Sequence, residues 1–183
     1  NESIWLHMEY KYLLEVLKKG LYKEFFDDFK NVLIPFQDPG RYGRSILENS
    51  SFLVSSAFPQ KNLHGNGFVA RLSGSTAEFI NIWLVMCAGC SPFYLSDDCK
   101  LCLEFKPILP SWLFSRKAEA GFPKNTFAFK FLNKALILYH NPERRDTFGP
   151  NGAKIKEMVV EPFGKPKITL KSSRIESGLA CDI

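Results

Sequence analysis

The sequence predicts an α+β protein in which helices come first and an antiparallel β module follows. Apolar residues recur at helical spacing in the first part of the chain. Residues 99–183 instead form short alternating segments separated by proline and glycine, which is typical of an antiparallel sandwich or barrel. The change follows Gly89, so we expect one domain over residues 1–90 and a second over residues 91–183.

Two helices are predicted at the start of the chain, over residues 4–19 and residues 21–32, with Gly20 between them. The first apolar stripe consists of Leu6, His7, Tyr10, Leu13, Leu14 and Leu17, and the second of Leu21, Phe25, Phe29 and Val32. We expect the two segments to form an antiparallel hairpin. A lone histidine on such a stripe is usually a satisfied core residue, and the alternative is a donor that faces a pocket.

Residues 41–67 are polar and rich in glycine and serine, so they predict a long irregular segment. Such segments are usually functional or disordered. Four interleaved apolar residues favour an ordered wall: Phe52, Leu53, Val54 and Phe58. The polar candidates for a binding role in this segment are Arg44, Glu48 and His64, although charged residues more often serve at the surface.

A third helix is predicted where small residues give way to an apolar run. Ser75 and Glu78 match the capping box, in which Ser or Thr is followed three residues later by Glu. The run from Phe79 to Cys87 is broken only by Asn81, which predicts a helix that is buried on most sides.

The start of this third helix is a candidate anion site. The first N–H groups of a helix have no acceptor inside it, and the helix dipole favours negative charge at this end. Ser73, Gly74 and Ser75 add hydroxyls and an unhindered backbone there. The same pattern also fits an ordinary capped core helix.

The charge pattern argues against a nucleic-acid partner, because the net charge is only +5 and the basic residues are spread along the chain. The sequence contains no apolar run of transmembrane length and no signal peptide, so we expect a cytoplasmic protein with no membrane partner. Because Asn1 falls directly on a helical pattern, we expect the chain to be a fragment of a longer protein.

The cysteines raise the question of a metal. Cys87-x-x-Cys90 and Cys99-x-x-Cys102 have the outline of a zinc ribbon. Cys87, however, lies at the end of the predicted helix, and Cys90 follows the helix stop at Ala88-Gly89. The second pair lies on a predicted strand, where residues three apart point to opposite faces. We therefore expect reduced, buried cytosolic thiols and no metal or cofactor.

Three sequence features occur in an informative order. They are the helix with Trp5-Leu6-His7-Met8-Glu9-Tyr10, the loop from Tyr42 through Glu48 to Pro59, and His64-Gly65 leading into Leu72-Ser73-Gly74-Ser75-Thr76 and the Trp83 helix. In this order they resemble the C-terminal part of the inverting sugar phosphorylases of glycoside hydrolase family 94. That family includes cellobiose, chitobiose, cellodextrin and 1,2-β-oligoglucan phosphorylases. The resemblance covers most of residues 1–90, and it is closest to the 1,2-β-oligoglucan branch.

The resemblance implies a fold and a reaction. Residues 1–90 would hold the last helices of an α/α toroid, and residues 91–183 would form a C-terminal antiparallel β-sandwich. The implied reaction cleaves a β-glucoside with inorganic phosphate and inverts the anomeric carbon, giving an α-sugar 1-phosphate. The implied partners are an oligosaccharide, phosphate as co-substrate and the rest of the toroid, and the resemblance leaves open whether the parent is a homodimer.

The resemblance also implies roles for individual residues. His7 matches the histidine that contacts phosphate, and Ser73 and Gly74 match a Thr-Gly pair that holds phosphate through a hydroxyl and a backbone N–H. Three further residues are pocket candidates because they lie near this region of the sequence: Arg71, His64 and Glu48. The general-acid aspartate and the phosphate-binding arginines of the family would lie upstream, so we expect no catalytic residue in this chain and no activity from the chain alone.

Two other interpretations remain open. The chain could be a non-catalytic carbohydrate-binding or scaffolding module whose working part is the β-sandwich, or a degenerate toroid that binds only proteins. A sugar-binding sandwich would present exposed Trp or Tyr side chains. Only Trp112 and Tyr139 follow Tyr94 in the β half, which is thin support for such a module.

Overall fold

The computed structural model describes residues 2–68 and 74–182, and it confirms the α+β class by combining helices with antiparallel sheets. The chain forms two compact units, Asn1–Trp83 and Leu84–Ile183. The division between the units falls inside the helix Gly74–Ala88, N-terminal to the boundary that the sequence predicts after residue 90.

The first unit combines α-helices with a small sheet. Its elements are β1 (Ser3–Trp5), α1 (Leu6–Lys18), α2 (Tyr22–Val32), α3 (Pro39–Tyr42), β2 (Phe52–Val54), β3 (Gly67–Phe68) and α4 (Gly74–Ala88), with short 3-10 helices at Ile34–Phe36 and Lys61–Leu63. The sheet has the order β1-β2-β3, and both strand pairs are antiparallel. β1 continues into α1 without a loop, so the sheet determines where α1 begins.

The two predicted N-terminal helices are confirmed, and α1 packs against α2. The first apolar stripe is buried as expected, apart from His7, which is half-buried. Between the helices, Gly20 adopts φ +77°, a conformation that glycine tolerates best. The start of α1 differs from the prediction, because residues 3–5 pair with β2 instead of extending the helix. Of the second apolar stripe, Phe25 and Phe29 are buried in α2, whereas Leu21, which precedes the helix, is half-exposed.

The segment 41–67 is ordered, as the interleaved apolar residues predicted. Tyr42 is fully buried, and its hydroxyl donates to the Glu48 carbonyl oxygen at 2.9 Å and lies 2.5 Å from Ser50 Oγ. Gly67 lies against the same ring, where a Cβ would approach Tyr42 Cε2 to 2.0 Å. Glycine is therefore required at this strand position because β3 passes directly over the Tyr42 ring.

Helix α4 corrects two expectations. Gly74 is already helical, so Ser75 lies in the first turn and is not the N-cap residue that the capping box required. The helix is also not buried on most sides. Ile80 is 58% exposed and Leu84 is 39% exposed, whereas Ile82 and Met86 are fully buried.

The second unit contains short antiparallel strands. Its elements are β4 (Phe93–Leu95), β5 (Leu101–Glu104), β6 (Thr126–Phe131), β7 (Ala135–His140), β8 (Met158–Val160), β9 (Ile168–Leu170), β10 (Arg174–Ile175) and α5 (Leu179–Asp182), with a 3-10 helix at Ser111–Leu113. They form the sheet β10-β5-β4 and the ribbons β6-β7 and β8-β9. The short antiparallel strands that alternation predicted within residues 99–183 are found as β5 to β9, and the core of the unit includes Leu103, Phe105 and Phe131.

The cysteines divide by burial. Cys87 and Cys102 are buried as expected, and all five cysteines are free thiols. The expectation of buried thiols is wrong for Cys90, Cys99 and Cys181, which are exposed. Burial raises the pKa of Cys87 to about 12. Within residues 2–68 and 74–182, no group of three or more His, Cys, Asp or Glu side chains could hold a metal ion.

This division predicts two classes of thiol reactivity. Because the thiolate is the nucleophile, Ellman's reagent at pH 8 should modify Cys90, Cys99 and Cys181 quickly in the folded protein. Cys87 and Cys102 should react only after unfolding in guanidinium. Peptide mass mapping of the modified sites checks the assignment, and equal rates at all five cysteines would contradict it.

Among the residues that the structure describes, none of the helices has both the length and the apolar character needed to cross a membrane.

Candidate functional site

The beginnings of two helices meet in the first unit. α1 starts at Leu6, so His7 lies in its first turn, and α4 starts at Gly74. A Cβ built on Gly74 would lie 3.3 Å from His7 Cβ and 3.8 Å from His7 Cγ. The structure therefore brings together two of the three residues that the resemblance implies for a phosphate site.

The small sheet places the start of α1. The Leu6 amide donates to the Ser51 carbonyl oxygen at 2.9 Å, and the Ser51 amide donates to the Phe68 carbonyl oxygen at 3.1 Å. These bonds connect the first residue of α1 to β2 and then to β3, the strand that precedes α4 in the chain. The start of α1 is therefore held to the sheet by backbone hydrogen bonds through Ser51.

Two helix N-termini at one place favour negative charge. α1 has 13 residues and α4 has 15, so each carries a helix dipole with its positive end at this position. Trp5, the N-cap residue of α1, has no side-chain oxygen to accept from the first amides. The carboxylate of Glu9, in the first turn of α1, offsets part of this field. Burial, with a further contribution from the Asp28 charge, raises the pKa of Glu9.

The imidazole of His7 adds a polar atom to this position. Its Nδ1 is buried and has no hydrogen-bond partner within the described part of the chain. Buried polar atoms in native structures are nearly always paired, so an orphan of this kind calls for a partner such as a ligand or a water. The Trp5 indole lies edge-on to the imidazole, with ring centroids 6.0 Å apart and an interplanar angle of 86°. The arrangement can bind an anion through an imidazole donor and the amides of two helix starts.

The other predicted site residues divide into two groups. Ser73 and Arg71 lie outside the described residues. His64 and Glu48 have partners within their own loop. A ring nitrogen of His64, Nε2, lies 2.6 Å from the Phe58 carbonyl oxygen. Glu48 forms a 2.9 Å ion pair with Arg44 and is largely exposed. The contacts of these two side chains therefore serve to hold the loop.

Sequence reasoning missed that α1 also contributes a helix N-terminus to the site. The apolar stripe predicted a helix from residue 4, which places His7 one turn inside. A signal was nevertheless present, because Ile4 and Trp5 are residue types that favour strands. Assigning them to a strand required knowing that Phe52 lies opposite Trp5.

Comparisons of the chain with protein-family models, with curated proteins and with solved structures find no match. Any functional conclusion therefore depends on the residues of this chain and on the site that they form.

Proposed function

We propose that this chain is part of an inverting glycoside phosphorylase that cleaves a β-glucoside with inorganic phosphate and releases an α-sugar 1-phosphate. The observation that carries the proposal is the close approach of His7 to Gly74, where two helix N-termini meet beside a buried imidazole nitrogen that has no hydrogen-bond partner among the described residues. A 1,2-β-oligoglucan is the favoured substrate. In this proposal residues 1–90 are the last helices of an α/α toroid in a cytoplasmic enzyme, and residues 91–183 form a β-sandwich.

The chemistry of phosphorolysis suits such a site. Phosphate is a tetrahedral anion at neutral pH, so it can attack the anomeric carbon without a general base. An acid on the opposite side of the sugar protonates the glycosidic oxygen as its bond to the anomeric carbon breaks and the new bond to phosphate forms. His7 and Gly74, with the Ser73 hydroxyl, would hold the phosphate in position for that attack. The acid would come from a segment upstream of this chain.

A carbohydrate-binding β module is the alternative. Of the two aromatic residues that could serve it, Tyr139 uses its hydroxyl to donate to the Cys87 carbonyl oxygen at 2.7 Å. The Tyr139 ring also packs edge-on against Phe105 at 6.4 Å. Because this side chain already takes part in the packing of its unit, the second unit offers weaker support for sugar binding than the first unit offers for phosphate binding.

Product analysis tests the proposal. The intact protein is incubated with β-1,2-linked gluco-oligosaccharides, with and without inorganic phosphate, and the products are followed by ³¹P and ¹H NMR. We expect α-glucose 1-phosphate only in the presence of phosphate. Release of free glucose at the same rate without phosphate, or formation of the β anomer, would contradict an inverting phosphorylase.

A substitution at Gly74 tests the site within the chain itself. The methyl group of Gly74→Ala would lie 3.3 Å from His7 Cβ, so the imidazole must shift by a few tenths of an ångström. Because alanine is a better helix former than glycine, its gain offsets the cost of this shift. The free energy of unfolding should therefore change by about 0.5 kcal/mol or less. Isothermal titration with phosphate should nevertheless show affinity reduced by about five- to tenfold. Unchanged affinity in a folded Gly74→Ala chain would remove this contact from the site.

A further inference from the structure

Three aromatic rings form a row across the sheet of the first unit. Trp5 lies opposite Phe52 in the strand register, and Phe52 lies opposite Phe68. The ring centroids of Trp5 and Phe52 are 5.6 Å apart, and those of Phe52 and Phe68 are 5.7 Å apart with nearly parallel planes. We call these three residues the aromatic row. Such cross-strand aromatic pairs stabilise the register of neighbouring strands.

The aromatic row joins the strand that runs into α1 to β3. Trp5 is followed by α1 and its His7, and β3 with Phe68 precedes α4 and its Gly74. Phe52 of β2 lies between them, so ring contacts join the segment that carries His7 to the strand that leads toward Gly74. The row is not core packing in the usual sense, because Trp5 is 46% exposed and Phe68 is 42% exposed.

Trp5 also contacts His7 directly, through the edge-on ring pair. Perpendicular aromatic pairs are favourable because the positive edge of one ring meets the negative face of the other, and this preference restricts ring rotation. His7 needs such a restraint, because its Nδ1 has no hydrogen-bond partner within residues 2–68 and 74–182 to fix the imidazole. A binding group that is held in one orientation binds its ligand more tightly than the same group left free to rotate.

We propose that Trp5 is a positioning residue, whose ring fixes the orientation of the His7 imidazole, while the Phe52 ring packs against Trp5 and holds it in place. The inference rests on the proposed function, since it concerns the same phosphate site. It assigns a role in orientation to a half-exposed tryptophan that makes no contact with the anion in this scheme.

Three variants of the intact protein distinguish the effect of the aromatic ring from that of apolar bulk. Trp5→Phe keeps an aromatic ring, Trp5→Leu keeps apolar bulk without a ring, and Met8→Ala removes a comparably exposed side chain, 57% exposed, from the same turn. Phosphate affinity is measured by isothermal titration, folding by circular dichroism, and the His7 ring by its ¹³C–¹H NMR signals. We expect Trp5→Leu to lose about tenfold in affinity and to shift the His7 signals. Trp5→Phe should restore most of the affinity, and Met8→Ala should leave it unchanged.

The outcomes separate the positioning role from the proposed function. An intact wild-type protein that binds no phosphate, or binds it equally well after His7→Ala, would overturn the phosphate site itself. Binding that depends on His7 but is equally strong in Trp5→Leu would overturn only the positioning role. Should Trp5→Leu fail to fold, Phe52→Leu carries the same test, because it removes the ring that packs against Trp5. Unchanged affinity and unchanged His7 signals in that variant would contradict the positioning role.

Discussion

Replacing His7 by alanine in the intact protein should lower kcat/KM for phosphate by about 10- to 100-fold, or about 1.4–2.8 kcal/mol of transition-state stabilisation. The reason is electrostatic. The imidazole lies where the positive ends of α1 and α4 meet, and its removal takes away the side-chain donor that complements their amides. Ser73→Ala should have an effect of similar size, because it removes the hydroxyl expected to contact the same anion.

The measurement is a steady-state assay with varied phosphate at a fixed oligosaccharide concentration. His140→Ala is the matched control, since His140 is an exposed histidine on β7 in the second unit. The His140→Ala variant should retain the wild-type kcat/KM for phosphate. Unchanged phosphate dependence in both His7→Ala and Ser73→Ala would remove these residues from the site, and an equal loss in His140→Ala would show that the effect is not local.

His64 provides a second comparison, because the sequence also offers it as a pocket residue. Its Nε2 lies 2.6 Å from the Phe58 carbonyl oxygen, and the Arg41 side chain donates to its backbone carbonyl oxygen at 3.3 Å. These contacts hold the loop between β2 and β3 together. The geometry therefore favours His7 over His64 as the candidate for anion binding. The sequence spacing alone could not make this distinction.

Much of the fold could be predicted because its signals are local. Helical spacing identified α1 and α2, and alternation identified the strands from β5 to β9. The misassigned regions depend on distant partners. β1 is a strand only because residues 52–54 pair with it. The exposed side of α4 could not be foreseen either, because an apolar run shows which residues can be buried but not which neighbours will cover them.

The site could be predicted in its residue types but not in its geometry. Gly74 was a candidate from helix-terminus chemistry, and His7 became one through the resemblance. Neither route revealed that both residues lie in the first turns of helices, because the start of α1 depends on the sheet. The support from Trp5 was likewise absent from the prediction, since its ring contacts join segments far apart in the sequence.

The largest expected effect on stability is that of Phe29→Ala. Phe29 is fully buried in α2, and its ring centroid lies 5.1 Å from that of Phe36, 5.3 Å from that of Phe25 and 5.8 Å from that of Trp83. Removing a buried phenylalanine ring costs about 3–5 kcal/mol, because apolar contacts are lost and a cavity remains. That is a large part of the 5–15 kcal/mol of free energy of unfolding that typical domains possess.

Guanidinium denaturation followed by tryptophan fluorescence measures this change, and Trp83 reports on it directly because its ring contacts Phe29. Phe163→Ala is the matched control, since this phenylalanine is fully exposed and its loss should cost less than about 0.5 kcal/mol. Equal unfolding midpoints for the two variants would contradict the assignment of Phe29 to the core. Because α2 packs against α1, the helix that carries His7 rests on the core that contains Phe29. We therefore expect the loss of the Phe29 ring to weaken the support of the proposed phosphate site as well as the stability of the first unit.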